Sequence, residues 1–180
     1  MNFENSSNKE VAYLDGPVVK LAKNNLITLK KNSKYSKYKK SRFCCHKNPL
    51  DSFHEMIIFH KKNYYIRPHK HTHSSESIHI IKGRADVFLF DSNGDIFDII
   101  CMGDLKSNSF FFYRINKNIY HSLLIKSQEL IFHETTQGPF KKKNTIFSKW
   151  APKKKFFKYK KILHYKIKFY EKKNIISSFR

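Results

Sequence analysis

Cysteine is scarce in this sequence: Cys44, Cys45 and Cys101 are the only three in 180 residues. An odd number, two of them adjacent, makes no disulfide framework, so a reducing cytoplasm is the expected compartment. No apolar run has the length of a membrane helix, and Met1 to Lys9 lacks the basic flank and apolar stretch of a secretory signal. A Gly-rich phosphate loop, a Gly-x-Ser-x-Gly nucleophile elbow and a Cys-x2-Cys zinc pair are all missing, which sets aside the chemistries they serve. Acidic residues are also few, 14 against 36 lysines and arginines.

That imbalance is local. Residues 1–63 carry a net charge of +8, residues 64–140 are neutral, and residues 141–180 carry +14. Only five of the basic residues are arginine, and Lys, Asn, Ile, Phe and Tyr dominate, as AT-rich coding sequence favours. The basic pI is therefore a poor argument for nucleic-acid binding. The hydrophobic fraction of 40% and 17 Phe exclude a disordered chain, and the length fits one domain.

Three stretches follow from the composition: a loose N-terminus over 1–17, a folded domain over 18–152, and a lysine- and aromatic-rich extension over 153–180. Val18 to Lys31 fits a short helix or a strand, and Lys30 to Arg42 reads as a basic linker. From Phe53 the pattern is short apolar runs between turn residues, the mark of an all-β domain. Candidate strands are Met56–Phe59, Tyr64–His71, Ser77–Lys82, Ala85–Phe90, Ile96–Cys101, Ser109–Tyr113, His121–Ile125 and Glu129–His133, with a hairpin turn over Asp91–Asp95. Eight such strands imply a sandwich, barrel or jelly roll. In the extension, lysines alternate with Phe, Tyr, Ile and Leu, and periodicity fits strand and helix equally.

The most informative segment runs from Tyr65 to Gly83. His69 and His71 stand two apart, so on a strand both face one side, and a four-residue turn returns Glu76 beside them. Two imidazoles and a carboxylate make a mixed nitrogen and oxygen site suited to one divalent ion, Fe, Mn, Zn or Ni. The spacing, closed by Gly83, arises by chance in roughly one such chain in two thousand. A surface histidine cluster is the alternative, given His54, His60, His73 and His79 nearby.

His69-x-His71-x4-Glu76-x6-Gly83 resembles the first motif of the cupin superfamily. That resemblance implies a β-barrel or jelly roll with a fourth ligand from a later strand, here His121. Asn116 and Asn118 stand where the second motif usually has Pro and Gly, and Asn118 can adopt the left-handed conformation that Gly would supply. The stretches Arg42–Asp51, Tyr65–His71, Val87–Gly94, His133–Phe140 and Trp150–Pro152 are similar to the WbuC family of cupin-fold metalloproteins, in consistent order over about 18–152. The family occurs in gene clusters for surface polysaccharide synthesis, and its activity is poorly defined. The resemblance implies the fold more firmly than the reaction, and a homodimer is common among cupins.

Several other residues invite a role. Arg67 precedes His69 by two and, on a regular strand, faces the same interior; a substrate carboxylate or phosphate, or an internal acid, would balance it. Tyr65 continues that face, as pocket wall or core aromatic. His73 falls in the loop at the mouth, and Tyr65, His73 and Glu134 are the candidate acids or bases. Phe110 to Tyr113 read as barrel packing and Cys101 as a small core residue. Three functions compete: a metal-dependent enzyme acting on a small anionic, sugar-type metabolite, a non-catalytic sugar-binding or regulatory cupin, and attachment of the basic extension to an acidic membrane or RNA surface.

Overall fold

The computed structural model describes residues 10–14 and 16–153. Two sheets face each other. The first contains β1 (Val11–Tyr13), β2 (Lys40–Cys44), β3 (Phe53–Lys61), β5 (Glu76–Lys82), β8 (Phe112–Ile115) and β10 (Glu129–Gln137), in the order β1-β2-β3-β10-β5-β8. The second contains β4 (His69–His71), β6 (Arg84–Phe90), β7 (Ile96–Gly103), β9 (Tyr120–Ile125) and β11 (Thr145–Phe147), in the order β11-β4-β9-β6-β7. The β1–β2 pairing is parallel and the other strand pairings are antiparallel. The fold is thus the all-β sandwich that the turn spacing predicts.

Period-two alternation sorts the side chains. Met56, Ile58, Ile78, Ile80, Tyr113, Ile115, Leu130 and Phe132 from one sheet meet Ala85, Val87, Leu89, Leu123 and Ile125 from the other, forming the central core. The outer faces are covered separately. Helix α1 (Lys23–Asn32) lays Leu26 and Leu29 on Phe43, Phe59 and Ile131, and its end is tied down where the Ser41 hydroxyl donates to the Leu29 carbonyl at 2.6 Å. On the second sheet, Trp150 and Ala151 pack over Phe88 and Phe90.

Some local expectations change. The span predicted as a linker, Lys30–Arg42, contains the end of α1 and the start of β2, because Ser41 and Phe43 face the helix while Arg42 and Cys44 face the other way. Val11–Tyr13, predicted to be loose, pairs with β2. The predicted strand Tyr64–His71 is regular only over His69–His71; Pro68 has no N–H for a ladder, and the Ile66 carbonyl is taken by the Ser122 hydroxyl at 2.6 Å. Phe110, Phe111 and Phe112 are exposed and only Tyr113 points inward, since this run turns into the edge strand β8. Cys101 is exposed as well. The extension from residue 154 onward lies outside the described residues.

Two turn positions carry the motif. Gly83 has φ +97° between β5 and β6, and a Cβ there would run into the Glu129 carbonyl oxygen and the Ser127 hydroxyl. Asn118 has φ +70°, the left-handed conformation expected of it. Gly83→Ala should therefore cost about 2 kcal/mol or more, read as a lowered urea midpoint with an unchanged slope. Asn118→Gly should leave stability within about 0.5 kcal/mol.

Candidate metal centre

His69 and His71 sit on β4, and His69 is register-paired with His121 on β9. Glu76 opens β5 on the facing sheet. The four side chains converge between the sheets, with one donor atom from each all lying within 4.8 Å of one another. All four residues expected from the motif are thus brought together.

Their protonation follows from their outer contacts. The Nδ1 atoms of His69 and His121 lie 2.9 Å and 3.0 Å from the carbonyls of Arg67 and Ile119. A carbonyl only accepts, so each Nδ1 carries the proton and each Nε2 presents a lone pair to the cluster. His71 Nδ1 is 3.4 Å from the Thr145 hydroxyl, and its Nε2 is 3.2 Å from Glu76 Oε2. Glu76 Oε1 accepts a hydrogen bond from Tyr113 Oη at 3.0 Å. The Nε2 of His121 is buried and has no hydrogen-bond partner, although Glu76 Oε1 stands 3.5 Å away.

A buried polar atom without a partner is costly, and several lone pairs aimed at one point are more so. A divalent cation resolves both, and the donor set fits one. Burial raises the Glu76 carboxyl, but the charge of the adjacent His121 and the hydrogen bond of His71 outweigh it and hold it well below the usual range. Burial lowers His121, yet Glu76 lifts it above the ordinary imidazole value. His69, more affected by burial and by His121, falls to about 4.

The centre borders a cavity of about 320 Å³, lined among others by Tyr13, Arg42, Cys44, His46, His54, Met56, His71, His73 and Glu134. Glu134 shares a face of β10 with the core residue Phe132, and its neighbour two residues on, Thr136, is register-paired with Glu76. Burial first, then the Glu76 charge, pushes its carboxyl up to about 8, against the pull of Arg42 and His121. His46 and His54 stack at 4.0 Å between ring centroids along one wall.

Among the other sequence candidates, His73 is exposed at the cavity rim and Glu134 is inside it. Arg67 and Tyr65 do not reach it. Arg67 Nη2 donates to the Ser148 carbonyl with its guanidinium 5.4 Å from the Phe147 ring centre, and Tyr65 Oη donates to the Pro152 carbonyl at 3.0 Å. Both lie before Pro68, where the strand alternation that would turn them inward has not begun. Sequence reasoning missed Tyr113, Arg42 and the His46–His54 pair. Tyr113 was hidden in an aromatic run, and Arg42 and His46 stood in a stretch quoted only for its resemblance.

The fold and site define a class: a two-sheet antiparallel sandwich with a three-histidine, one-carboxylate cluster between its sheets. A family model described as a domain of unknown function, DUF6016, matches residues 21–102, which hold His69, His71 and Glu76 but not His121. No curated protein matches the chain. Similar solved structures include a protein from Shewanella oneidensis at 8% identity, with 54% of this chain and 63% of that one covered and a TM-score of 0.46. Oxalate decarboxylase from Bacillus subtilis is 18% identical, covering 60% of this chain and 27% of that one, with a TM-score of 0.46. Procruciferin, an 11S globulin from Brassica napus, is 13% identical, covering 52% and 22%, with a TM-score of 0.42. The chain spans less than two thirds of each of these structures.

Two outcomes are expected at the centre. Tyr113→Phe frees one Glu76 oxygen and should weaken metal binding about 10- to 100-fold, measured by competition with a chromophoric chelator. Because His121 holds its proton more tightly than a free imidazole, metal uptake must displace that proton. Affinity should fall as the pH is lowered through the raised His121 value, in the same chelator assay.

Proposed function

We propose that the protein is a metal-binding cupin that binds or acts on a small anionic, sugar-type metabolite in surface polysaccharide biosynthesis. The observation that carries the metal reading is the convergence of His69, His71 and His121 Nε2 with the Glu76 carboxylate, the imidazoles of His69 and His121 oriented by backbone carbonyls. The similarity to the WbuC family supports the polysaccharide setting. A bound divalent ion would supply Lewis acidity toward a ligand carbonyl or hydroxyl.

The chain's own residues provide the rest. Arg67 and Glu76 set the orientation of two imidazoles, the first through its carbonyl and the second through its carboxylate. The cavity shelters a small ligand beside His71. Among the described residues Glu134 is the carboxyl of the cavity wall outside that cluster, and burial, then the Glu76 charge, pushes it up to about 8. It can donate a proton to a ligand oxygen or take one back, which favours a catalytic over a purely binding role.

Elemental analysis of the purified full-length protein should find about one equivalent of a divalent metal. Because the ion binds the folded chain, chelation should lower Tm, and saturation at 100 times Kd should be worth about 2.7 kcal/mol. His69→Ala and His71→Ala should each lose most of the metal. Full metal retention in both variants, or melting indifferent to chelator, would sink the reading.

A further inference from the structure

The anion-binding role that the sequence offers to Arg67 is vacated by the fold, which turns that side chain to the Ser148 carbonyl and the Phe147 ring. Arg42, itself exposed to solvent, lines the cavity wall instead. Alternation along β2 fixes this: Phe43 packs under α1, while Cys44 joins the central core and Arg42 shares its side. The Arg42 guanidinium reaches Met56 Sδ at 4.0 Å, and among the described residues it makes no ion pair with a carboxylate.

A guanidinium has five donors in a planar fork that matches a carboxylate or phosphate, and a thioether satisfies at most one. Among the described residues the acidic side chain that lines the cavity is Glu134, and it forms no ion pair with Arg42. Glu10, whose carboxyl the Arg42 charge helps to lower, is bonded to Lys40 at 3.0 Å and to the Ser36 hydroxyl at 2.8 Å. The cavity therefore presents a permanent cation that no carboxylate pairs within ion-pair distance among the described residues. Glu134 lies within electrostatic reach of Arg42, Glu76 and His121 together. A volume of about 320 Å³ is at the small end for ligand sites and suits a single sugar ring or smaller.

We propose that Arg42 sets the specificity of the site, taking the carboxylate or phosphate of a small acidic sugar whose hydroxyl or carbonyl oxygens reach toward the His69–His71–Glu76–His121 centre. The second half of this assignment rests on the metal reading above. The first half, the selection of acidic over neutral ligands by Arg42, stands without it.

The test is calorimetric titration of the full-length protein, as purified and after treatment with EDTA, with gluconate, glucose 6-phosphate and glucose. At least one acidic probe should bind at least tenfold more tightly than glucose, and the stronger of the two identifies carboxylate or phosphate as the preferred group. Arg42→Gln should weaken that probe at least tenfold while metal content, measured in parallel, is unchanged. Arg42→Lys should fall between, because it keeps the charge but not the fork, and it decides the matter if Arg42→Gln does not fold. Glucose binding as tightly as the acids, neither acid binding, or full affinity in Arg42→Gln and Arg42→Lys would each overturn the proposal. Acid binding that needs Arg42 but persists undiminished in metal-free protein would keep the selectivity and remove the link to the centre. Metal retained without acid binding would sink this inference and leave the metal reading intact.

Discussion

A carboxylate buried between two β-sheets sets the terms for everything around it. Glu76 is only 5% exposed, and an ionised group there must be matched by hydrogen bonds and opposite charge or be expelled as its neutral form. The match comes from both sheets: Tyr113 from the neighbouring strand, and His71 and His121 from the opposite one. Both imidazoles are fixed in turn by a second contact, His121 through the Ile119 carbonyl and His71 by the Thr145 hydroxyl. Remove the carboxylate and three imidazoles are left crowded with nothing to balance their polar edges. Remove one imidazole and the carboxylate is left short of partners.

The rest of the architecture keeps that group in place. Antiparallel pairing with a period of two delivers Glu76, Ile78 and Ile80 to the interior along one strand, and His121, Leu123 and Ile125 along another. A one-residue slip of β5 would turn the carboxylate outward and exchange two core isoleucines for polar residues. The aliphatic core thus fixes the register of the polar cluster. The outer faces are held by α1 on one side and by Trp150 and Ala151 on the other, where the Gly94 backbone approaches so closely that a Cβ would lie 2.6 Å from the indole.

The fold class and the four clustered residues were legible because both depend on short-range spacing. His69 and His71 two apart, Glu76 after a tight turn and Gly83 at a positive φ form a local pattern that needs no knowledge of tertiary contacts. Asn118 belongs to the same class, its left-handed conformation being a property of the residue type. What was not legible depends on partners distant in sequence. Arg67 sits two residues before His69, but Pro68 interrupts the ladder and the carbonyl of Ser148, more than 80 residues away, captures its guanidinium. The Phe110–Phe112 run reads as core by hydrophobicity alone, and only the position of β8 at a sheet edge leaves it exposed. Arg42 reads as the end of a basic linker until β3 pairs with β2 and turns it into an exposed strand position on the cavity wall.

The charge distribution separates attraction from recognition. All of the net +22 lies in the flanks, +8 before residue 64 and +14 after residue 140, whereas the segment bearing the centre is neutral. Lysines distributed over solvated surface create a diffuse field, which salt screens over about 8 to 10 Å and which cannot tell one anion from another. Inside the cavity the balance differs. Glu134 lines the cavity and Glu76 lies beside it on the same sheet; burial and the Glu76 charge push the Glu134 carboxyl up, while the imidazoles hold the Glu76 carboxyl low. Arg42 lines the same cavity with no carboxylate within ion-pair distance among the described residues. The cationic character of the cavity therefore comes from one strand position. A protein of the same fold with no lysine excess would retain it.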